Sequence, residues 1–162
     1  MSELTFEVKE FIEDNIDLIE QGAWSQIYDN AFFTLDSTAT GKFTQAILSI
    51  GEDPLIALDY IPEYYLSDCN IETFTIPNHI LELYEGCFSY SSLKDIVIPD
   101  SVTTIGMYAF YDCTALERVK IPPNVISIED NSFNNSKTIV VCKKGSYAEQ
   151  YAQENQMNVE YY

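Results

Sequence analysis

The sequence predicts an α+β protein: a short β-solenoid with an N-terminal α-helical cap and a C-terminal cap of one helix and one strand. A phrase with a strand-like apolar pattern recurs three times and ends each time in proline, at Ile71–Pro77, Leu93–Pro99 and Leu116–Pro122. The prolines are 22 and 23 residues apart, a period typical of stacked repeats. Helical patterns lie on both sides of this stretch, which is why caps are expected at both ends.

Each repeat is predicted to contain a short strand and a return segment. In the second repeat Ile96 and Ile98 are two residues apart, as in a strand with one buried face. Proline ends the strand because it has no N–H for a neighbouring strand. The return segments place Phe88, Phe110 and Phe133 at equivalent positions. One turn alone cannot bury these rings, so the turns must stack and the rings should form one column.

These repeats resemble the BspA-like leucine-rich repeat family, whose pattern is L-x-x-I-x-I-P-x-x-V-x-x-I-x-x-x-A-F-x-x-C. Leu93–Cys113 matches it at nearly every position, and Lys144–Ala152 is similar to the family's closing segment. The resemblance covers about residues 65–162 and implies a leucine-rich-repeat solenoid; the N-terminal helical region is not recognised. It also implies that exposed strand positions line a binding face, here called the strand face: Thr73, Thr75, Asp95, Val97, Arg118 and Lys120.

The chain divides into an acidic helical subdomain at residues 1–62, which caps the first repeat, and a repeat domain at 63–162. The second part is predicted to hold three repeats and a C-terminal cap. At this end we expect one more strand at Thr138–Val141, followed by a helix at Ser146–Gln156 and a final strand at Met157–Tyr161 that form the cap. The segment Tyr60–Leu66 is interpreted as a degenerate half-turn leading into the repeats.

Apolar residues at three- and four-residue steps predict the helices of the first part. Gly22 supplies a C-terminal stop for the first of them, and Asp53-Pro54 is a helix-start signal for the last. Polar residues 36–41 are predicted to form a loop. The four expected helices cover residues 3–20, Trp24 to about Phe33, about Phe43 to Ile50, and Pro54 to a point before Pro62.

The net charge of −18, from 26 acidic and 8 basic residues, is concentrated near the N-terminus. Residues 1–70 hold 14 acids and two lysines, a net charge of −12, whereas residues 71–162 have a net charge of −6. A field of this sign repels phosphate, so direct nucleic-acid binding is disfavoured. The charge is either a solubility device or an acidic face for a basic partner. That candidate acidic face consists of Glu7, Glu10, Glu13, Asp14, Asp17 and Glu20.

No catalytic, metal or cofactor site is predicted, and the sequence favours a protein that is not an enzyme. His79 is the only histidine, which removes most Ser/His, Cys/His and zinc chemistry, and we expect it in an exposed turn. No glycine-rich nucleotide loop and no calcium loop occurs. The cysteines are widely spaced and are predicted to be small buried thiols rather than a disulfide framework: Cys69, Cys87, Cys113 and Cys142.

No apolar run approaches the ~20 residues that cross a bilayer, and Met1–Glu7 lacks the pattern of a secretion signal. We therefore expect a cytoplasmic protein with no membrane contact, although many proteins of the resembled family are surface proteins.

A second candidate surface is aromatic, because tyrosine is enriched in protein interfaces; half-buried structural tyrosines are the alternative. This tyrosine cluster comprises Tyr64, Tyr65, Tyr84, Tyr90, Tyr108 and Tyr111.

Three hypotheses for function follow from these patterns. The first is a non-catalytic protein–protein interaction module built on the repeat solenoid. The alternative is an acidic inhibitor that mimics nucleic acid and blocks the basic channel of a nucleic-acid-binding protein, of the phage-encoded, anti-defence or anti-CRISPR kind. The third is a homodimer formed through an open solenoid edge or the tyrosine cluster.

Overall fold

The computed structural model of this protein describes residues 4–134 and 137–162. Its helices, in chain order, are α1 (Phe6–Asp14), α2 (Ile16–Gln21), α3 (Trp24–Thr34), α4 (Ser37–Ser49), a 3₁₀ helix (Pro54–Ile56) and α5 (Tyr147–Glu154). Its strands are β1 (Tyr60–Ile61), β2 (Glu82–Leu83), β3 (Asp95–Val97), β4 (Thr104–Ile105), β5 (Arg118–Lys120), β6 (Ser127–Ile128), β7 (Ile139–Cys142) and β8 (Asn158–Tyr161). The predicted α+β solenoid with a cap at each end is confirmed.

All strand pairs are parallel and form two four-stranded sheets, with the orders β1-β2-β4-β6 and β3-β5-β7-β8. The register follows the sequence period, since Leu83 lies opposite Ile105 and Ile105 lies opposite Ile128. The solenoid has about five turns, more than the three repeats read from the sequence. The additional first turn contains Ile61 in register with Leu83, which confirms the half-turn predicted at Tyr60–Leu66.

The predicted phenylalanine column is present. The ring centroids of Phe88 and Phe110 are 5.3 Å apart and those of Phe110 and Phe133 are 5.0 Å apart, with the planes nearly parallel. Phe74 packs against Phe88 at 5.4 Å, and Tyr151 of α5 closes the far end against Phe133 at 6.1 Å. Stacked turns therefore bury one another's apolar side chains, as a solenoid requires.

The strand expected at Ile71–Pro77 is not formed as an assigned strand. The segment still follows the neighbouring coil, because the Lys94 N–H donates to the Glu72 carbonyl at 3.0 Å. At the opposite end the cap elements β7, α5 and β8 match their predicted positions within about two residues. The Ser146 hydroxyl caps α5 by accepting from the Glu149 N–H at 3.3 Å.

The helix predicted over residues 3–20 is interrupted at Asn15, which separates α1 from α2. The Asn15 side chain is buried and donates to the Phe11 carbonyl at 2.9 Å. Its oxygen accepts from Asn30 of α3 at 2.8 Å. A single helical period could not reveal this break, because the interruption depends on a polar contact with another helix. Gly22 ends α2 in the left-handed conformation, as predicted.

The loop predicted at residues 36–41 is wrong, because these residues begin α4. The Asp36 carboxylate accepts from the Ala39 N–H at 2.7 Å and caps the helix, a standard role for aspartate. Gly41 lies inside the helix where a Cβ would come 2.0 Å from the Ser67 carbonyl oxygen. The glycine that suggested a loop is thus required by close packing between α4 and the first turn of the solenoid.

The fourth predicted helix is only the 3₁₀ helix Pro54–Ile56. Its start was predicted well, since the Asp53 carboxylate accepts from the Leu55 N–H at 3.1 Å. The chain then leaves the helical path because Leu58 and Ile61 are buried as parts of the first solenoid turn. Trp24, predicted to be a core anchor, is buried at the start of α3.

Buried apolar residues of the helices and of the solenoid form one continuous cluster. The division at residue 62 remains a prediction; β1 lies on its N-terminal side and already pairs with β2.

All four cysteines are buried and free, which confirms their predicted environment. Within residues 4–134 and 137–162, none of the helices combines the length and the apolar character needed to cross a bilayer.

Candidate interaction surfaces

Two backbone positions in successive turns have a left-handed conformation, and tyrosine occupies both. The first position is held by Tyr64, Gly86, Tyr108 and Asn131, and the second by Asp68, Tyr90 and Asp112. All of their φ angles lie between +53° and +59°. Glycine, asparagine and aspartate tolerate this region, whereas a bulky side chain pays about 1 kcal/mol or more for it. Tyr64, Tyr90 and Tyr108 therefore hold strained backbone positions.

The exposed and half-buried tyrosines of the predicted cluster are called the tyrosine surface: Tyr64, Tyr84, Tyr90, Tyr108 and Tyr111. The rings of Tyr90 and Tyr111 are 5.5 Å apart, and those of Tyr108 and Tyr111 are 5.4 Å apart. The Tyr64 ring lies over Gly86, where a Cβ would approach it to 2.5 Å. The structure thus joins three of the six predicted tyrosines, Tyr90, Tyr108 and Tyr111, through ring contacts.

Hydrogen bonds and stacking fix the orientation of two of these rings. The Tyr64 hydroxyl donates to a Glu85 carboxylate oxygen at 3.0 Å. Burial, and then this carboxylate, raise the pKa of Tyr64 to about 12, so the ring stays neutral at physiological pH. Tyr84 stacks on Tyr60 at a centroid distance of 4.5 Å, and Tyr60 was not among the predicted residues. The repeat period could have identified Tyr60, because the next residue, Ile61, lies one period before Leu83 of β2.

Tyr65 does not lie on the tyrosine surface. It is fully buried, with its ring 5.5 Å from that of Tyr28 and 6.4 Å from that of Phe74. Its position in the turn corresponds to Cys87 and Ala109, both of which point inwards. Alignment of Tyr65 with these two residues would have predicted its burial from sequence.

The strand face is exposed, but its basic end is occupied by the protein's own C-terminal residues. Arg118 pairs with Glu160, with one Nη–Oε distance of 3.0 Å. The Lys120 ammonium lies 4.6 Å above the centroid of the Tyr162 ring. Sequence reasoning missed both partners, although they alternate along β8 as exposed strand positions should. The four uncovered residues of the strand face are Thr73, Thr75, Asp95 and Val97.

All six residues of the candidate acidic face are exposed on α1 and α2. The ion pairs within the described part of the chain are Lys94–Glu72 and Arg118–Glu160, so none of the six carboxylates has a basic partner there. The helices also lack a base in their last turns. The face therefore carries concentrated negative charge, with Lys9 as the one base on α1 and α2.

The candidate groups for chemistry at a reactive side chain are His79, the four cysteines and the carboxylates. Among residues 4–134 and 137–162, no three His, Cys, Asp or Glu side chains are grouped as a metal site. His79 is exposed, and its Nε2 lies 2.7 Å from the Leu55 carbonyl oxygen, which connects the 3₁₀ helix to the first repeat. Burial raises the pKa of each cysteine thiol, which suppresses the nucleophilic thiolate.

Comparison with known proteins identifies the repeats. A family model for the BspA type leucine rich repeat region matches six copies over residues 25–160. Among solved structures, the pneumococcal vaccine antigen PcpA is similar over 55% of this chain and 29% of its own, with 17% sequence identity and a TM-score of 0.44. The chain therefore spans less than a third of that protein. Nothing among the curated proteins matches the sequence. On the family match, which includes most of the helical cap, the chain belongs to the BspA-type leucine-rich repeat family.

Proposed function

We propose that this protein is a non-catalytic protein–protein interaction module that contacts its partner through the tyrosine surface. The repeat solenoid is consistent with a protein-interaction module, and the family is typically non-enzymatic. The single observation that supports the choice of surface is backbone strain. Tyr90 and Tyr108 hold left-handed positions whose equivalents in other turns include Asp, Gly and Asn as well as Tyr64, and strain of this kind concentrates at functional sites.

Tyrosine suits a protein partner for physical reasons. It provides a large contact area with few rotatable bonds, and its hydroxyl can still form a hydrogen bond at the rim. Within the tyrosine surface the ring of Tyr111 contacts those of Tyr90 and Tyr108, so these three side chains have less entropy to lose on binding. The strand face has no comparable feature, because its bases are already engaged by Glu160 and Tyr162.

The test is the double variant Tyr90→Asn with Tyr108→Asn. We expect its free energy of unfolding to stay within about 1 kcal/mol of the wild type, because relief of strain offsets the lost ring contacts. We expect it to lose the partner that the wild type captures from a lysate of the native host. Because the contact is largely apolar, capture by the wild type should depend weakly on salt.

Tyr147→Asn is the matched control, since Tyr147 is 39% exposed and lies on α5, away from the tyrosine surface. It should retain the partner. The proposal fails if the double variant retains the partner, or if the control loses it equally. Light scattering at two concentrations distinguishes a foreign partner from a homodimer. If the tyrosine surface forms a homodimer, the wild type should be dimeric and the double variant monomeric.

A second candidate function is mimicry of nucleic acid by the acidic face, with a basic nucleic-acid-binding protein as partner. The absence of basic partners for these six carboxylates within the described residues favours it. Mimicry predicts binding that collapses between low and high salt and that duplex DNA competes with. Salt-resistant binding without competition by DNA would contradict mimicry and leave the tyrosine surface as the contact.

We also propose a cytoplasmic location for the protein. Four free, buried cysteines suit a reducing compartment. Fractionation of the native host with an antibody against the protein tests this, and recovery from the cell surface would contradict it.

A further inference from the structure

The helical cap contains an open apolar groove that the proposed function does not use. One wall is formed by Ile12, Ile16 and Ile19 of α1 and α2, and the other by Ala46, Ile47 and Ile50 of α4. The groove has a volume of about 560 Å³. Ile47 is buried at its floor, whereas Ile16 is 44% exposed and Ile50 is 70% exposed.

The break at Asn15 explains why residues 4–134 and 137–162 leave these apolar side chains uncovered. α1 packs against α4, while α2 packs against α3. Phe11 anchors the first contact through its ring, 5.1 Å from that of Phe43, and Asn15 anchors the second through Asn30. α1 therefore contacts α4 directly, whereas α2 packs against α3 instead, and the cleft lies between α2 and the C-terminal half of α4.

Exposed carboxylates on α1 and α2, here called the acidic rim, follow the isoleucines of one wall in sequence but do not line the groove itself. Each of the three isoleucines of that wall is followed directly by an exposed carboxylate, in the pairs Ile12-Glu13, Ile16-Asp17 and Ile19-Glu20. Lys42 is the one base among the lining residues. An apolar floor beside an acidic rim complements a ligand that has apolar side chains in its centre and cations at its edge.

We infer that this groove binds an amphipathic helix of a partner protein, with an apolar stripe flanked by lysine or arginine. The wall from Lys42 to Ile50 is about 12 Å long at ~1.5 Å per residue, which matches about two turns of a docked helix. Partners of this kind insert anchors spaced i, i+3/i+4 and i+7 into such grooves. An added strand is disfavoured, since both walls are helices with no free backbone edge, and an anionic membrane surface would be repelled by the acidic rim.

The experiment uses the full chain and a synthetic, fluorescently labelled peptide of 18 residues. Leucines occupy positions i, i+3, i+4 and i+7 of this peptide and lysines occupy the others. A scrambled peptide of equal composition, without an apolar stripe, separates groove binding from simple attraction between polycation and polyanion. Fluorescence anisotropy measures both dissociation constants at low and moderate salt.

Two matched pairs of variants identify the site. Ile50→Gln should weaken binding of the patterned peptide about tenfold, because one apolar anchor is lost. Ile126→Gln should leave it unchanged, since Ile126 is also 70% exposed but lies on the solenoid. The triple neutralisation Glu13→Gln, Asp17→Asn and Glu20→Gln should weaken binding about fivefold at low salt, and less at higher salt. A triple control on the solenoid with the same charge change should have a smaller effect: Glu82→Gln, Asp100→Asn and Glu117→Gln.

The inference is overturned if the scrambled peptide binds as tightly as the patterned one, or if Ile50→Gln and Ile126→Gln have equal effects. It is also overturned if light scattering shows that a second copy of this chain occupies the groove. In that case Ile50→Gln would abolish self-association without changing peptide binding. None of these outcomes involves the tyrosine surface, so failure here leaves the proposed function untouched.

Discussion

Tyr28 and Tyr65 lie next to each other in the core, but among the described residues only the Tyr28 hydroxyl has a hydrogen-bond partner. The Tyr28 hydroxyl is 2.8 Å from the Thr44 hydroxyl. The Tyr65 hydroxyl is buried and has no hydrogen-bond partner within residues 4–134 and 137–162. Burial is the largest cause that raises the pKa of each group, so both remain neutral.

Tyr65→Phe should therefore raise the free energy of unfolding by about 1 kcal/mol, because an unpaired buried hydroxyl is costly. Tyr28→Phe is the matched control and should lower it by about 1 kcal/mol, since the Thr44 hydroxyl loses its partner. Urea unfolding measures both values. Changes of the same sign in the two variants would contradict the assigned hydrogen bonding.

The thiol of Cys69 should be unreactive in the folded protein. Burial raises its pKa to about 12, so at pH 8 only about one thiol in 10⁴ is ionised. A thiol-specific chromogenic disulfide reagent at pH 8 should report no rapid reaction in native protein and four thiols after denaturation. Because the pKa is raised, thiolate appears only as the pH approaches that value. Rapid labelling of the native protein at pH 8 would contradict this environment.

At the scale of elements, α4 shows how packing outweighs helix propensity. In an exposed helix a glycine-to-alanine change adds about 1 kcal/mol of stability. At Gly41 the new Cβ would meet the Ser67 carbonyl oxygen at 2.0 Å, so α4 would have to move away from the solenoid. Gly41→Ala should therefore lower the free energy of unfolding by about 1–3 kcal/mol.

Thr38→Ala, in the first turn of the same helix, is the control for that substitution. It should change stability by no more than about 0.5 kcal/mol, because Thr38 is partly exposed and alanine is a good helix former. Both variants are compared by denaturant unfolding monitored at Trp24, which lies in the adjacent helix α3. A stabilising Gly41→Ala would mean that α4 does not contact the first turn as closely as described.

At the scale of the whole molecule, the net charge of −18 acts against the compact state. Two ion pairs are present in the described part of the chain, and both are exposed, so they offset little of this repulsion. Since the helices and solenoid share one core, repulsion at the N-terminus should affect the stability of the whole chain.

Raising sodium chloride to about 0.5 M should increase the melting temperature by several degrees, because salt screens like charges. Calorimetry should show a single transition at each salt concentration. The triple neutralisation at Glu13, Asp17 and Glu20 should melt higher at low salt and respond less to added salt. A fall in melting temperature with salt would instead indicate that ion pairs dominate.

Much of the solenoid was predictable from particular residues. The period of the prolines and of Phe88, Phe110 and Phe133 predicts the stacked turns, since a spacing that short cannot bury these rings in any other way. The exposed strand positions also follow from alternation. The contacts of Arg118 with Glu160 and of Lys120 with Tyr162 could not be predicted in this way. The partners lie some 40 residues further along the chain, and only the order of the strands in the sheet brings them together.

Amino-acid sequence alone thus determined the repeat architecture, the capping at both ends, the buried thiols and the uneven charge, because each depends on local spacing or composition. Tertiary structure decided which side chains remain available. The break at Asn15, the helical Gly41 and the burial of Tyr65 all arise from contacts between elements distant in sequence. Spacing along a chain does not encode such contacts, so the tyrosine surface and the apolar groove emerge only once the elements pack.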